Sequence, residues 1–159
     1  MAGTITYNVS TNTIMVVGGT NSFDDVYNAD VAGGWGKVTK QGDSQFLVIC
    51  KLVVGDGSTE TYLTTVKEQI TVDVRSQNCF GIKILENATF TSGVLVDATT
   101  KSTKDGSSLQ VLCDLSYNPE HSMFWNLGNL YLYSSQVRGN HILSTCIYGG
   151  GTVLRIWNT

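Results

Sequence analysis

From end to end this chain consists of short runs rich in Val, Ile, Leu, Thr and Tyr, cut at close intervals by Gly, Asn, Asp and Ser. Runs of that length and composition are strand-sized, and the separators are the residues that turn a backbone. One proline occurs in 159 residues, and no segment keeps a helical period for long. The chain therefore reads as an all-β protein. Its length predicts one domain with a buried core.

The N-terminal region, 1–44, predicts a cap or hairpin. Thr4 to Val9 alternates, and Thr13 to Val17 follows a Ser-Thr-Asn turn and ends at Gly18-Gly19. Phe23, Val26 and Tyr27 share a faint helical face behind Ser22, so a short capped turn is expected there, stopped by Gly33-Gly34. From residue 45 to 159 the runs are Gln45–Val54, Gln69–Val74, Phe80–Phe90, Gly93–Val96, Leu109–Leu115, Leu130–Val137, Ile142–Tyr148 and Thr152–Trp157. Leu85, Cys113, Tyr133 and Trp157 close similar apolar runs in a loosely regular succession. That rhythm predicts coils of about 20 to 28 residues, each supplying short strands to one shared core.

Gln69-Ile70-Thr71-Val72-Asp73-Val74, Gly81 to Phe90, and Leu130-Tyr131-Leu132-Tyr133-Ser134-Ser135 resemble rungs of the right-handed parallel β-helix proteins, the pectate-lyase-like group. The resemblance implies a right-handed parallel β-helix or solenoid over residues 45–159, in a group that includes polysaccharide lyases, phage tailspikes, adhesins and sheath proteins. An antiparallel jelly roll or β-sandwich is the competing architecture, because strands at such intervals also fit one.

Charged residues are 14% of the chain, against roughly 25% in an average domain. A weakly charged surface suits packing against copies of itself. The net charge of −3 argues against a nucleic-acid partner, and no apolar run is long enough for a membrane helix, which predicts no membrane insertion. The start has no basic segment followed by an apolar one, so no signal peptide is read in it. Cys50, Cys79, Cys113 and Cys146 stand at nearly even spacing without a Cys-x-x-Cys pair. They read as buried small hydrophobes on successive rungs, with one or two disulfides as the alternative.

Few residues point to chemistry. His121 and His141, flanked by Cys113 and Cys146, match no zinc spacing and read as loop histidines, so no metal or cofactor is expected. Asp97, Lys101, Lys104 and Asp105 share one polar loop, and Asp24, Asp25 and Asp30 form an acidic group near the start. Both read as solvated or turn-forming charges rather than a lyase or hydrolase site. Trp35 is expected to pack a tight turn at Gly33-Gly34-Trp35-Gly36. Trp125 and Trp157 read as buried ends of rungs, with sugar stacking as the alternative. Asn8 and Asn87 begin Asn-x-Ser/Thr triplets.

No catalytic residue is assigned. The expected function is a non-catalytic, self-assembling structural module of a cell surface, sheath or virion, outside the cytoplasm. A carbohydrate-binding or carbohydrate-cleaving domain of tailspike type, with glycans as partners, is the alternative. The assembly surface is placed at the two ends, on Ile5, Tyr7 and Val9 and on Val153, Leu154, Ile156 and Trp157, which would join copies into a filament or a trimer.

Overall fold

The computed structural model describes residues 2–77, 79–113, 119–140 and 146–157. It opens with β1 (Ala2–Asn8), β2 (Thr13–Asn21) and helix α1 (Phe23–Gly33), followed by β3 (Val38–Gly42), β4 (Gln45–Val48), β5 (Lys51–Val54), β6 (Thr61–Thr65) and β7 (Gln69–Asp73). Next come β8 (Ile82–Ile84), β9 (Ala88–Ser92), β10 (Val94–Asp97), β11 (Ser102–Lys104) and β12 (Ser108–Leu112). A 3-10 turn (Pro119–His121) leads to β13 (Phe124–Asn126), β14 (Asn129–Tyr133), β15 (Gln136–Gly139), β16 (Ile147–Tyr148) and β17 (Thr152–Ile156). Among the described residues the protein is all-β apart from these two helical pieces.

The helix is longer than the expected turn, and its signals are local. The Asp25 N–H donates to Ser22 Oγ at 3.1 Å, and Asp25 Oδ2 accepts from the Ser22 N–H at 2.8 Å, a complete capping box. Gly34 ends it at φ 67°, in the left-handed region that glycine tolerates. Phe23 and Val26 are buried beneath it.

Most strand pairs are parallel. They build a ten-stranded sheet in the order β16-β13-β8-β5-β2-β6-β9-β14-β17, curled into a half-barrel, with β1 antiparallel on β2. A five-stranded sheet runs β15-β12-β7-β4-β3, and β10-β11 is a separate antiparallel hairpin.

This pairing corrects several expectations. A regular right-handed β-helix is not what the strands form, because β2 bridges two strand stacks. It pairs with β5 through Thr13–Val16 and with β6 through Gly19–Asn21, bending at Gly18 and Gly19, so both stacks belong to one curled sheet. The coil length is also not uniform. Leu63, Phe90, Leu130 and Val153 are aligned across β6, β9, β14 and β17, and the step from Phe90 to Leu130 is the longest because it alone holds the β10-β11 hairpin. The jelly roll or sandwich fails as well, since antiparallel pairing is confined to β1-β2, β3-β4 and β10-β11 among the described residues. Two expected strands, Gln45–Val54 and Phe80–Phe90, each break at a corner into β4 and β5, and into β8 and β9. Expectations that fell on residues 114–115 and 141–145 lie outside the described residues.

Parallel register stacks like on like. Phe46, Ile70 and Leu109 form one inward column, and Leu52, Ile82 and Phe124 another, all at most 2% exposed. Phe23 of α1 joins the two sheets, with its ring 6.0 Å from Phe46 and 6.3 Å from Phe90; Phe90 in turn lies 6.1 Å from Phe124.

Replacing Phe90 by Ala removes a ring from the middle of that chain and leaves a cavity, with an expected loss of about 3–5 kcal/mol. Urea denaturation measures it, and a loss under ~1 kcal/mol would mean that the sheets are held by other contacts. A second expectation concerns acid. Asp56 accepts N–H bonds from Ser58 and Thr59 at 2.9 and 2.7 Å, and these hold its carboxyl at about 2. Because the folded value is depressed, this stabilisation is present above the unfolded carboxylate range and is lost as pH falls toward 2. The drop in melting temperature between pH 4 and pH 2 should be smaller in Asp56→Ala than in the parent; an equal drop would refute the assignment.

Candidate functional site

The outward face of the five-stranded sheet carries aligned rows of polar side chains. Strands that alternate in and out present every second residue, and β7, β12 and β15 each carry the order polar, apolar, polar. Their register aligns Gln69, Ser108 and Gln136 in one row and Thr71, Gln110 and Arg138 in the next. Ile70, Leu109 and Val137, between the rows, turn inward.

These six polar side chains line a groove of about 380 Å³. It continues over the corners that precede the strands, where Lys67, Glu68, Ser107, Ser134 and Trp157 line a further 340 Å³ or so. On its other side Gln136 and Arg138 join Arg155 and Trp157 around a third hollow of about 360 Å³. Gln136 borders all three, so the hollows adjoin along one surface, called the channel below.

The corner is built from buried hydroxyls. Thr65 Oγ1 lies 2.9 Å from Ser107 Oγ, the Ser107 N–H donates to Ser92 Oγ at 3.2 Å, and the Ser135 hydroxyl donates to Ser92 Oγ at 2.7 Å. Mutual bonding removes the cost of burying them. Gly106 lets the neighbouring backbone close in, since a Cβ there would stand 1.8 Å from the Ser134 carbonyl oxygen. Glu68 hangs from this corner, its Oε1 accepting from the Thr65 hydroxyl at 2.5 Å. Burial raises its carboxyl above the ordinary range, outweighing that hydrogen bond.

Trp157 is 53% exposed. It is not the buried rung end expected from the sequence. Trp125 also faces outward, half-buried, with the Lys83 ammonium 3.8 Å above its ring and Phe80 and Tyr148 alongside. Trp35 does pack its turn, against Tyr7 and directly over Gly33.

The other candidates are scattered, with local partners. Asp97 accepts the Thr99 N–H within the β10-β11 turn, and Asp105 lies 3.6 Å from Lys67 and 4.0 Å from Lys104, while Lys101 sits in that turn at φ 62°. Asp24 pairs with Lys40 at 2.8 Å, Asp25 belongs to the helix cap, and buried Asp30 accepts the Lys37 N–H. Asn8 accepts the Thr11 N–H, and Asn87 donates to the Ser58 carbonyl. His121 ends the 3-10 turn, and His141 lies outside the described residues. Among the described residues no group of three or more His, Cys, Asp or Glu is placed to hold a metal ion, and no helix is long and apolar enough to cross a membrane.

Of the seven residues assigned to the assembly surface, Ile5 and Tyr7 are half-buried against the core, while Val9, in the turn after β1, is 80% exposed. Val153 and Leu154 on β17 and Trp157 beyond it are exposed, and Ile156 is half-buried. The polar groove itself was not anticipated from the sequence. Its signal is the recurrence of Gln-Ile-Thr-Val, Ser-Leu-Gln-Val and Gln-Val-Arg-Gly, which begin at Gln69, Ser108 and Gln136.

No protein-family model, curated protein or solved structure matches this chain.

Cys50, Cys79 and Cys113 are buried as expected, whereas Cys146 is exposed and so is not the buried hydrophobe the sequence suggested. Burial pushes the Cys50 thiol up to about 12. An aromatic disulfide reagent is therefore expected to titrate Cys146 rapidly in the native protein and the other three only on unfolding. Fast reaction in a Cys146→Ser variant would contradict that burial.

Proposed function

We propose that this chain is a non-catalytic structural module that associates with copies of itself, of the kind that builds a cell surface, sheath or virion. One observation carries the reading. The inward column Leu63, Phe90, Leu130 is fully buried, yet its next member, Val153, is 43% exposed. The parallel column Thr65, Ser92, Leu132 likewise ends at an exposed Arg155.

The strands around this opening are outermost in their sheets. β16 and β17 close the two ends of the ten-stranded order, and β15 closes one end of the five-stranded sheet. Among the described residues each is hydrogen-bonded to a strand on one side only. Unpaired edges next to exposed Val153, Leu154 and Trp157 favour association, because covering each aliphatic side chain contributes about 1–2 kcal/mol. The opposite side is covered differently, by α1, whose Phe23 and Val26 fill the interior beneath β1 and β3. A contact from the open side to the next copy would propagate as a filament, whereas side-by-side packing of copies would close as a trimer.

Light scattering at about 100 μM, a range in which a contact of modest size is populated, tests the reading. A species larger than the monomer is expected, lost on Val153→Asp with the circular dichroism spectrum unchanged. A strict monomer at that concentration would sink the proposal.

A further inference from the structure

We infer that the open side of one copy is covered by the helix-bearing end of a second copy, head to tail, through a charge-complementary contact. The inference rests on the self-association proposed above and names the surface that meets the open side. It starts from the way charge is divided along the chain. Residues 124–157, which build β13 to β17, hold Arg138 and Arg155 and no acidic side chain. Residues 1–48, which build β1 to β4 and α1, hold Asp24, Asp25, Asp30 and Asp43 against Lys37 and Lys40. Two arginines without an acid make the one segment +2, and four acids with two lysines make the other −2. Opposite charges therefore sit at the opposite ends of the molecule, although its net charge is −3.

The charges stand where such a contact would form. Arg138 and Arg155 are exposed, line one hollow with Trp157, and make no ion pair among the described residues. At the other end Asp43 is exposed in the turn between β3 and β4, and it too makes no ion pair among the described residues. Helix α1 buries Phe23, Val26 and Asp30, which leaves Asp24, Asn28 and Val31 on its outer side, with Val31 60% exposed. Acids beside an exposed valine thus answer arginines beside Val153, Leu154 and Trp157. The main chain has a counterpart as well. β15 and β3 are the two edges of the five-stranded sheet, and among the described residues each is paired with one strand only, so β3 of the next copy can continue the sheet at β15. Other arrangements satisfy less. Open side against open side sets arginines against arginines with no acid from residues 124–157 between them, and like charges across a contact oppose it. Side-by-side packing leaves Val153 and the free edges uncovered.

The test reverses the charge of each end separately and follows association of the full chain by analytical ultracentrifugation at low salt, up to about 100 μM. One variant is Arg138→Glu with Arg155→Glu, which makes the open side acidic. The other is Val31→Lys with Asp43→Lys, which makes the helix end basic; all four positions are exposed, and the circular dichroism spectrum of each variant should match the parent's. Each variant alone is expected to associate about tenfold more weakly than the parent or worse, because like charges now meet at its contact. An equimolar mixture is expected to regain the parent's association, since the acidic open side of the first variant fits the basic helix end of the second and the unaltered ends still fit each other. Recovery in the mixture is what a heterologous contact produces. Association of the helix-end variant as tight as the parent's, or a mixture no better than its two components, overturns the inference; if Val153→Asp still abolishes assembly in that case, self-association stands and only its head-to-tail form falls. A parent that is strictly monomeric overturns both.

Discussion

Everything in this fold hangs on the ring of Phe23. A helix lying beside strands has to place something in the space between two sheets, and here it places one phenylalanine against Phe46 of the five-stranded sheet and Phe90 of the ten-stranded one. Phe90 passes the contact on to Phe124. Each aromatic pair adds about 0.5–1.5 kcal/mol beyond simple burial. The chain of four rings thus sets the separation of the sheets, and the capping box at Ser22 fixes the rotation of the helix that supplies the first ring.

The same register that builds the interior lays out the surface. In a parallel sheet, residues in alignment point the same way, so a column of Phe, Ile and Leu on the inside obliges the residues on either side of it to form rows on the outside. Ile70, Leu109 and Val137 are the inward members. Gln69, Ser108 and Gln136 before them, and Thr71, Gln110 and Arg138 after them, become two polar rows with no further instruction. Slipping β15 by one residue would bury Arg138 and expose Val137. A buried unpaired guanidinium is costly enough to make the site's alignment a by-product of the core's.

That dependence explains what could and could not be read from the residues. The all-β class, the turn at Trp35 and the cap at Ser22 are short-range: Gly, Asn and Ser set local backbone angles, and their neighbours lie within a few positions. Pairing is long-range. Nothing in Thr13 to Asn21 announces that its first half will bind Lys51–Val54 and its second half Thr61–Leu63, because β2 divides at two glycines that look like any turn. The runs at Gln45 and Phe80 look continuous since the corners inside them, at Ile49-Cys50 and Leu85-Glu86-Asn87, contain no glycine. Asn87 takes φ 62° where a glycine would have given the bend away. The polar rows were legible in principle, as three strands of like pattern, but a pattern of alternation says only that one face is wet, and Trp157 joins it through a contact set by the whole sheet.

The buried hydroxyls at the corner show how rigidity reaches the surface. Ser92, Ser107 and Ser135 could each have been an aliphatic residue of similar size, and the core would have gained apolar area. As hydroxyls bonded to one another, they instead demand fixed donor and acceptor directions, and a partly satisfied set would be worse than none. Because Ser107 also accepts the Glu68 N–H at 3.1 Å, and Thr65 both meets Ser107 and donates to the Glu68 carboxylate, the network fixes the acid at the mouth of the channel. Gly106 admits the Ser134 carbonyl, which brings β15 and its Gln136 and Arg138 to the same corner. One side of the channel is therefore positioned by hydrogen bonds in the interior and the other by main-chain pairing. Trp157 and Arg155 stand exposed at the margin of the last sheet contacts, beside the same corner.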